Sequence, residues 1–221
     1  RELDHQIRNQ ISDLLKNGGF PSQSAEKLAS WNPYDQNASA DFFDSEWMFG
    51  INEGFDIVLG NPPYVRQEKI KELKPPLKQY YDCYTGTADL YVYFYERGFQ
   101  LLREGGNLAY ISSNKWFRAE YGAPLRKYIA QNSQIHTITD FGELSVFEAA
   151  TFPMIFITRK RKVKQQSPIF TQVRSLDPPY PDLQALITKF GKTLPTSAIK
   201  DSEWILTDSG SADILKKMEQ V

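Results

Sequence analysis

The 221-residue chain has one cysteine, Cys83, and two histidines, His5 and His136. A lone cysteine excludes an internal disulfide framework and a zinc-thiolate cluster. Two histidines supply too few ligands for a multi-histidine site, so no metal centre is expected. Neither sign of charge dominates: 26 basic and 27 acidic side chains leave a net charge of -1. That balance excludes a surface built throughout to grip nucleic-acid phosphates, and any such contact has to be local. No apolar run approaches the roughly 18 to 20 residues that cross a bilayer. The amino terminus, Arg1-Glu2-Leu3-Asp4, has neither a signal-peptide core nor an initiating methionine. The expected setting is a reducing cytoplasm with no membrane partner, and the chain reads as a portion of a longer polypeptide. What it does have is 41% hydrophobic and 14% aromatic residues, enough for one good core, with or without a smaller appendage.

Leu3, Ile7, Ile11, Leu14 and Leu15 recur at helical spacing and Gly18-Gly19 follows them, which predicts a helix over residues 2–17. Residues 20–54 show no sustained period and read as an irregular connection docked by Trp31, Phe42, Phe43, Trp47 and Phe49. Phe55-Asp-Ile-Val-Leu-Gly60 is a short apolar run bounded by glycines, the pattern of a buried parallel strand. Tyr91, Phe94, Tyr95, Gly98, Leu101 and Leu102 share one helical face, with Asp89 in the first turn and Gly105-Gly106 as the stop. Further strands are predicted at 108–112, 135–141 and 154–159, and a helix follows Pro124. This order predicts an α/β fold: the C-terminal half of a Rossmann-like sheet, mostly parallel, with an antiparallel strand near its end. Beyond residue 160 a small mixed tail is expected, with short helices near 182–190 and 209–219. The domain reading is therefore 1–54 as helix and connection, 55–160 as the catalytic half, and 161–221 as a linker and the start of another region.

Asn61-Pro62-Pro63-Tyr64 leaves the strand 55–60 directly, so it emerges at the carboxyl edge of the sheet, where open α/β folds place their ligands. Proline at 62 forces Asn61 into extended geometry, and Pro63 does the same to Pro62, so the Asn61 side chain and the Pro62 carbonyl are held on a stiff ribbon. A planar exocyclic amine carries two N–H donors, and an amide oxygen plus a backbone carbonyl can accept both. Such acceptors stabilise the positive charge that grows on nitrogen as it attacks a methyl group. Tyr64 adds an aromatic face.

The tetrad after an apolar strand resembles the catalytic motif of adenine-N6 DNA methyltransferases, and its surroundings resemble the Type IIG restriction-modification enzymes. The resemblance runs in order through residues 55–64, Asp89-Leu-Tyr91, Leu102-Arg-Glu-Gly-Gly106, Ser113-Asn-Lys-Trp116 and Phe141-Gly-Glu-Leu-Ser-Val-Phe147. It implies that Asn61 and Pro62 bind the target adenine amine, that Tyr64 stacks on a base flipped out of double-stranded DNA, and that Phe147 is the second aromatic against that base. It implies S-adenosylmethionine as methyl donor, with Asp41 and Phe42 matching the stretch that meets the donor's adenine. The family's glycine-containing cofactor loop has no match before Asn61, so the remainder of the parent polypeptide is an expected partner and this portion alone is expected to be inactive. The tail after residue 160 would begin a DNA-specificity region.

Three other features have plainer readings. Asp177-Pro-Pro-Tyr180 does not follow a buried strand and reads as structural loop, and Asn32-Pro33-Tyr34 reads as a turn. Lys115, beside the strand 108–112, and the run Arg159, Lys160, Arg161, Lys162 are candidate DNA contacts, against the ordinary reading of solvated chain ends. Two alternatives to the methyltransferase reading are a non-catalytic DNA-binding or specificity module and an amino-methyltransferase acting on RNA or protein glutamine.

Overall fold

A computed structural model describes residues 2–30, 32, 43–147, 152–177 and 180–206. The chain divides into two compact units, Arg1–Asn52 and Glu53–Val221. In the first, α1 (Glu2–Asn17) ends where Gly19 takes a φ of +91° and Phe20 N donates to the Leu15 carbonyl. Residues 20–54 are more regular than the sequence suggests, because α2 (Ser22–Ser30) and α3 (Ser45–Phe49) form within them. Helix α2 buries only Ala25 and Ala29, too little apolar surface to leave a visible period. It is held to α1 instead by polar contacts: Lys16 pairs with Glu26 at 2.9 Å, and Arg8 donates to the Ala29 and Ser30 carbonyls. Trp31 and Phe42 lie outside the described residues, as does the Trp47 side chain.

The second unit is built on a six-stranded sheet in the order β1-β2-β4-β3-β5-β6, comprising β1 (Phe55–Gly60), β2 (Leu102–Ser113), β3 (Ser133–Asp140), β4 (Pro153–Lys160), β5 (Ile169–Gln172) and β6 (Lys192–Thr193). Strands β1, β2, β3 and β5 run one way; β4 and the two-residue β6 oppose them. The fold class is therefore the predicted one, and β3 and β4 are antiparallel neighbours. The tail is not set apart from this sheet. β5 pairs with β3, and α7 (Leu183–Phe190), whose amino end is capped by Asp182 accepting from Ala185 N, leads into β6. The boundary expected at residue 160 is thus not a structural one, since the strand that follows it joins the same sheet. The predicted helix at 209–219 lies outside the described residues.

Helix α4 (Lys74–Tyr80) precedes α5 (Leu90–Leu101), which covers one face of the sheet by burying Tyr91, Tyr95 and Phe99 against Leu108, Tyr110 and Phe156. Phe94, expected in that core, is 39% exposed. The helix stops at Leu101 and β2 begins at once. Gly105 (φ +77°) does not cap the helix but serves an irregularity inside β2, where Phe55 pairs with Leu102 and Ile57 with Asn107. Helix α6 (Ala123–Asn132) carries Pro124 in its first turn, as expected, and buries Leu125 and Ile129. Its Arg126 reaches back to the Trp116 and Ala119 carbonyls and forward to that of Ser202, beside the small hairpin β7 (Ile199–Lys200) and β8 (Glu203–Trp204).

Candidate active site

The carboxyl ends of β1, β2 and β3 and the start of β4 share one edge of the sheet, so Asn61, Asn114, residues 141–147 and Phe152 all emerge there. At the end of β1 a side chain on Gly60 would put its first carbon 2.9 Å from the Tyr110 ring, so only glycine lets β1 pass under that ring into the motif. Pro62 is buried, while Asn61 and Pro63 are exposed. Among the described residues neither the Asn61 side chain nor the Pro62 carbonyl has a hydrogen-bond partner, so two acceptors sit free on adjoining residues of one rigid ribbon. The ribbon then turns, with Val65 N donating to the Pro63 carbonyl at 2.9 Å.

Two reciprocal bonds tie the exit from the motif to α5. Leu90 N donates to the Val65 carbonyl at 2.9 Å, and the Asp89 carboxylate accepts from Gln67 N at 3.0 Å. Asp89 therefore spends its charge on a loop amide rather than on its own helix end, where it makes no side-chain cap. Lys74 adds a second brace, donating to Gln67 Oε1 and to the Gly86 carbonyl. Sequence reading left Asp89 as a first-turn acid; an acid in that position gives no sign that its acceptor faces a loop 22 residues earlier.

Tyr64 is half-buried and touches two rings. Its centroid lies 6.3 Å from that of Tyr91 and 6.2 Å from that of Phe147, with 60° between the Tyr64 and Phe147 planes. The two aromatics proposed from the sequence, 83 positions apart, thus form one edge-to-face corner. Among the described residues the buried Tyr64 hydroxyl has no hydrogen-bond partner, and burial raises its pKa above the ordinary phenol value. Behind it, the Tyr91 and Tyr121 hydroxyls share a hydrogen bond of 2.6 Å.

Lys115 is exposed at this same edge, its ammonium 5.2 Å from the centre of the Phe152 ring. The other basic residues lie elsewhere. Because β4 runs against β1, its end carries Arg159 and Lys160 to the opposite edge, where they donate to the Gly105 and Leu102 carbonyls. Arg161 and Lys162 follow them there, exposed. The structure does not bring this run to the motif. Asp177 is bonded to Ser175 in an exposed loop, and the two prolines of the second tetrad lie outside the described residues. Asp41 and Phe42 lie outside the described residues. Sequence reading missed Asp140, the last residue of β3, whose Oδ1 accepts from Asn114 Nδ2 at 2.8 Å and from Gly142 N at 2.9 Å. An acid before Phe-Gly at a strand end is its only sequence signal.

The sequence profile of the Eco57I restriction-modification methylase family matches residues 2–147, which span the motif, the Asp89 clamp and Phe147. The chain belongs to that family. Over 160 residues, 70% of its length, it is 34% identical to the Type II methyltransferase M.BstVI of Geobacillus stearothermophilus, of which it covers 27%. To the Type II restriction enzyme and methyltransferase RM.Eco57I of Escherichia coli it is 29% identical over 217 residues, covering 94% of this chain and 19% of that one. A solved structure from a type I restriction-modification system shares the fold, with a TM-score of 0.53 at 11% identity over 77% of this chain and 44% of the other. This family member therefore spans about a quarter of the length of the M.BstVI chain it resembles.

Proposed function

We propose that this chain is the target-base portion of a site-specific DNA adenine-N6 methyltransferase of a restriction-modification or related defence system. The free acceptor pair at Asn61 and Pro62, next to the Tyr64–Phe147 corner at the carboxyl edge, carries the reading. A flipped adenine lies on the Tyr64 ring with Phe147 at its margin. The Asn61 amide oxygen and the Pro62 carbonyl accept the two N6 hydrogens. They orient the nitrogen lone pair away from the ribbon and stabilise the charge that develops there on methylation. Lys115 stands at the same edge as a contact for the DNA backbone.

S-adenosylmethionine would supply the methyl group. Among the described residues β1 is the first strand and no strand followed by a glycine loop precedes it, while Asp41 and Phe42 lie outside the described residues. The main part of the donor site would come from the rest of the parent polypeptide, with Asp41 and Phe42 meeting the donor's adenine. Within the second unit β1 is an edge strand, with Ile57 58% and Leu59 74% exposed on it. By this reading the chain alone is inactive, and a DNA-specificity region would begin only beyond β6, the last strand of the sheet.

The test is methyl transfer from labelled S-adenosylmethionine by the full polypeptide, offered duplex DNA, RNA and glutamine peptides, with the modified base identified after digestion. N6-methyladenine from DNA alone is expected. Label in cytosine, RNA or peptide glutamine contradicts the proposal.

A further inference from the structure

We infer that Asp140 is a positioning residue for the target-base corner, an assignment that rests on the functional reading above. Asp140 is 7% exposed, and a carboxylate so buried needs donors. It has two, Asn114 Nδ2 and Gly142 N, both on Oδ1. Their places in the chain give the pairing its meaning. Gly142 opens residues 141–147, which lead from β3 to Phe147, and its φ of +56°, in the left-handed region that glycine tolerates, is part of the turn that brings its N–H back to Asp140. Asn114 holds the other end, since its own N donates to the Phe152 carbonyl at 2.7 Å. Phe141 N to the Pro153 carbonyl closes the base of the loop, and two short-range bonds, Leu144 N to Phe141 O and Val146 N to Leu144 O, stiffen the climb to Phe147. One carboxylate thereby fixes the loop's entry directly and its exit through Asn114, and Phe147 arrives against Tyr64.

This role needs an acceptor oxygen and no charge. Asparagine at 140 can accept both bonds through its single amide oxygen, whereas a residue that moved a proton or paired with a cationic group could not be replaced that way. The distinction matters because Asp140 also lines a cavity of about 190 Å³ with Asn114, Phe117, Arg118 and Trp204, from which it might otherwise be taken to meet a ligand directly.

The experiment uses the full enzyme and duplex DNA with 2-aminopurine at the target position, which reports base extrusion by fluorescence. Asp140→Ala is expected to lose about 10²-fold in kcat and most of the fluorescence rise, with the KM for the methyl donor unchanged, while Asp140→Asn stays within about threefold of the parent. Because Asp140 acts through Phe147, the double variant Asp140→Ala/Phe147→Ala should be no slower than Phe147→Ala alone. Additive losses, or an Asp140→Asn as slow as Asp140→Ala, overturn the assignment. Should Asp140→Ala not fold, Asn114→Ala takes its place: about a tenfold loss is expected that vanishes in the Phe147→Ala background, and a loss that persists there is equally fatal. Full activity in Phe147→Ala itself refutes the base-binding reading, a failure separate from that of Asp140.

Discussion

At Tyr64 the ring and the hydroxyl have different fates. The ring borders Phe147 and Tyr91, while the buried hydroxyl has no partner among the described residues. A buried unpaired polar group costs free energy, so Tyr64→Phe should leave the melting temperature unchanged or higher and preserve turnover. Tyr64→Ala should instead lose about 1 to 3 kcal/mol of base stacking, read as weaker binding of an extruded-base duplex. If the two substitutions have the same effect, Tyr64 does not act through its ring. Asn61 and Pro62 were legible from the sequence because proline restricts its neighbour through local sterics that no tertiary contact needs to supply. Phe147 was legible only by resemblance, since a loop aromatic carries no local signature of the ring it will meet.

Helix α5 is the element that carries the motif's support. Its first amide and its capping position, Asp89, both bond to the segment 65–67, so the start of the helix and the exit of the ribbon are one assembly. Asp89→Ala removes the charged acceptor and strands the Gln67 N–H. The expected loss is about 1.5 to 3 kcal/mol in urea unfolding, with Asp89→Asn recovering part of it. A change below about 0.5 kcal/mol would mean that the clamp does not hold the loop. The long apolar elements, β1 and α5, were readable because their patterns extend over several residues. Strands β5 and β6, four and two residues long, take their structure from β3 and from each other, and so left no pattern of their own. The end of α5 was misplaced because Leu102 continues the apolar face of the helix while serving as the first residue of β2.

For the molecule as a whole, the sheet has a chemical edge and a structural one. The first gathers Asn61, Tyr64, Asn114, Lys115 and Phe147. The second receives Arg159 and Lys160, which bond to the Gly105 and Leu102 carbonyls in the irregular start of β2. Charge placement follows this division: with a net charge of -1, a run of four cations far from the motif steers little toward it. Within the second unit, Ile57 and Leu59 leave an apolar face of β1 exposed. Under the proposed function these features serve one contact, in which the oxygens of Asn61 and Pro62 would accept from the amine of a flipped adenine. The most direct test is the single-turnover rate of adenine methylation by the full enzyme carrying Asn61→Ala, at saturating DNA and methyl donor. Losing one preorganised acceptor predicts a fall of roughly 10²- to 10³-fold, with the base still extruded onto Tyr64. A rate within a few-fold of the parent enzyme would contradict the account.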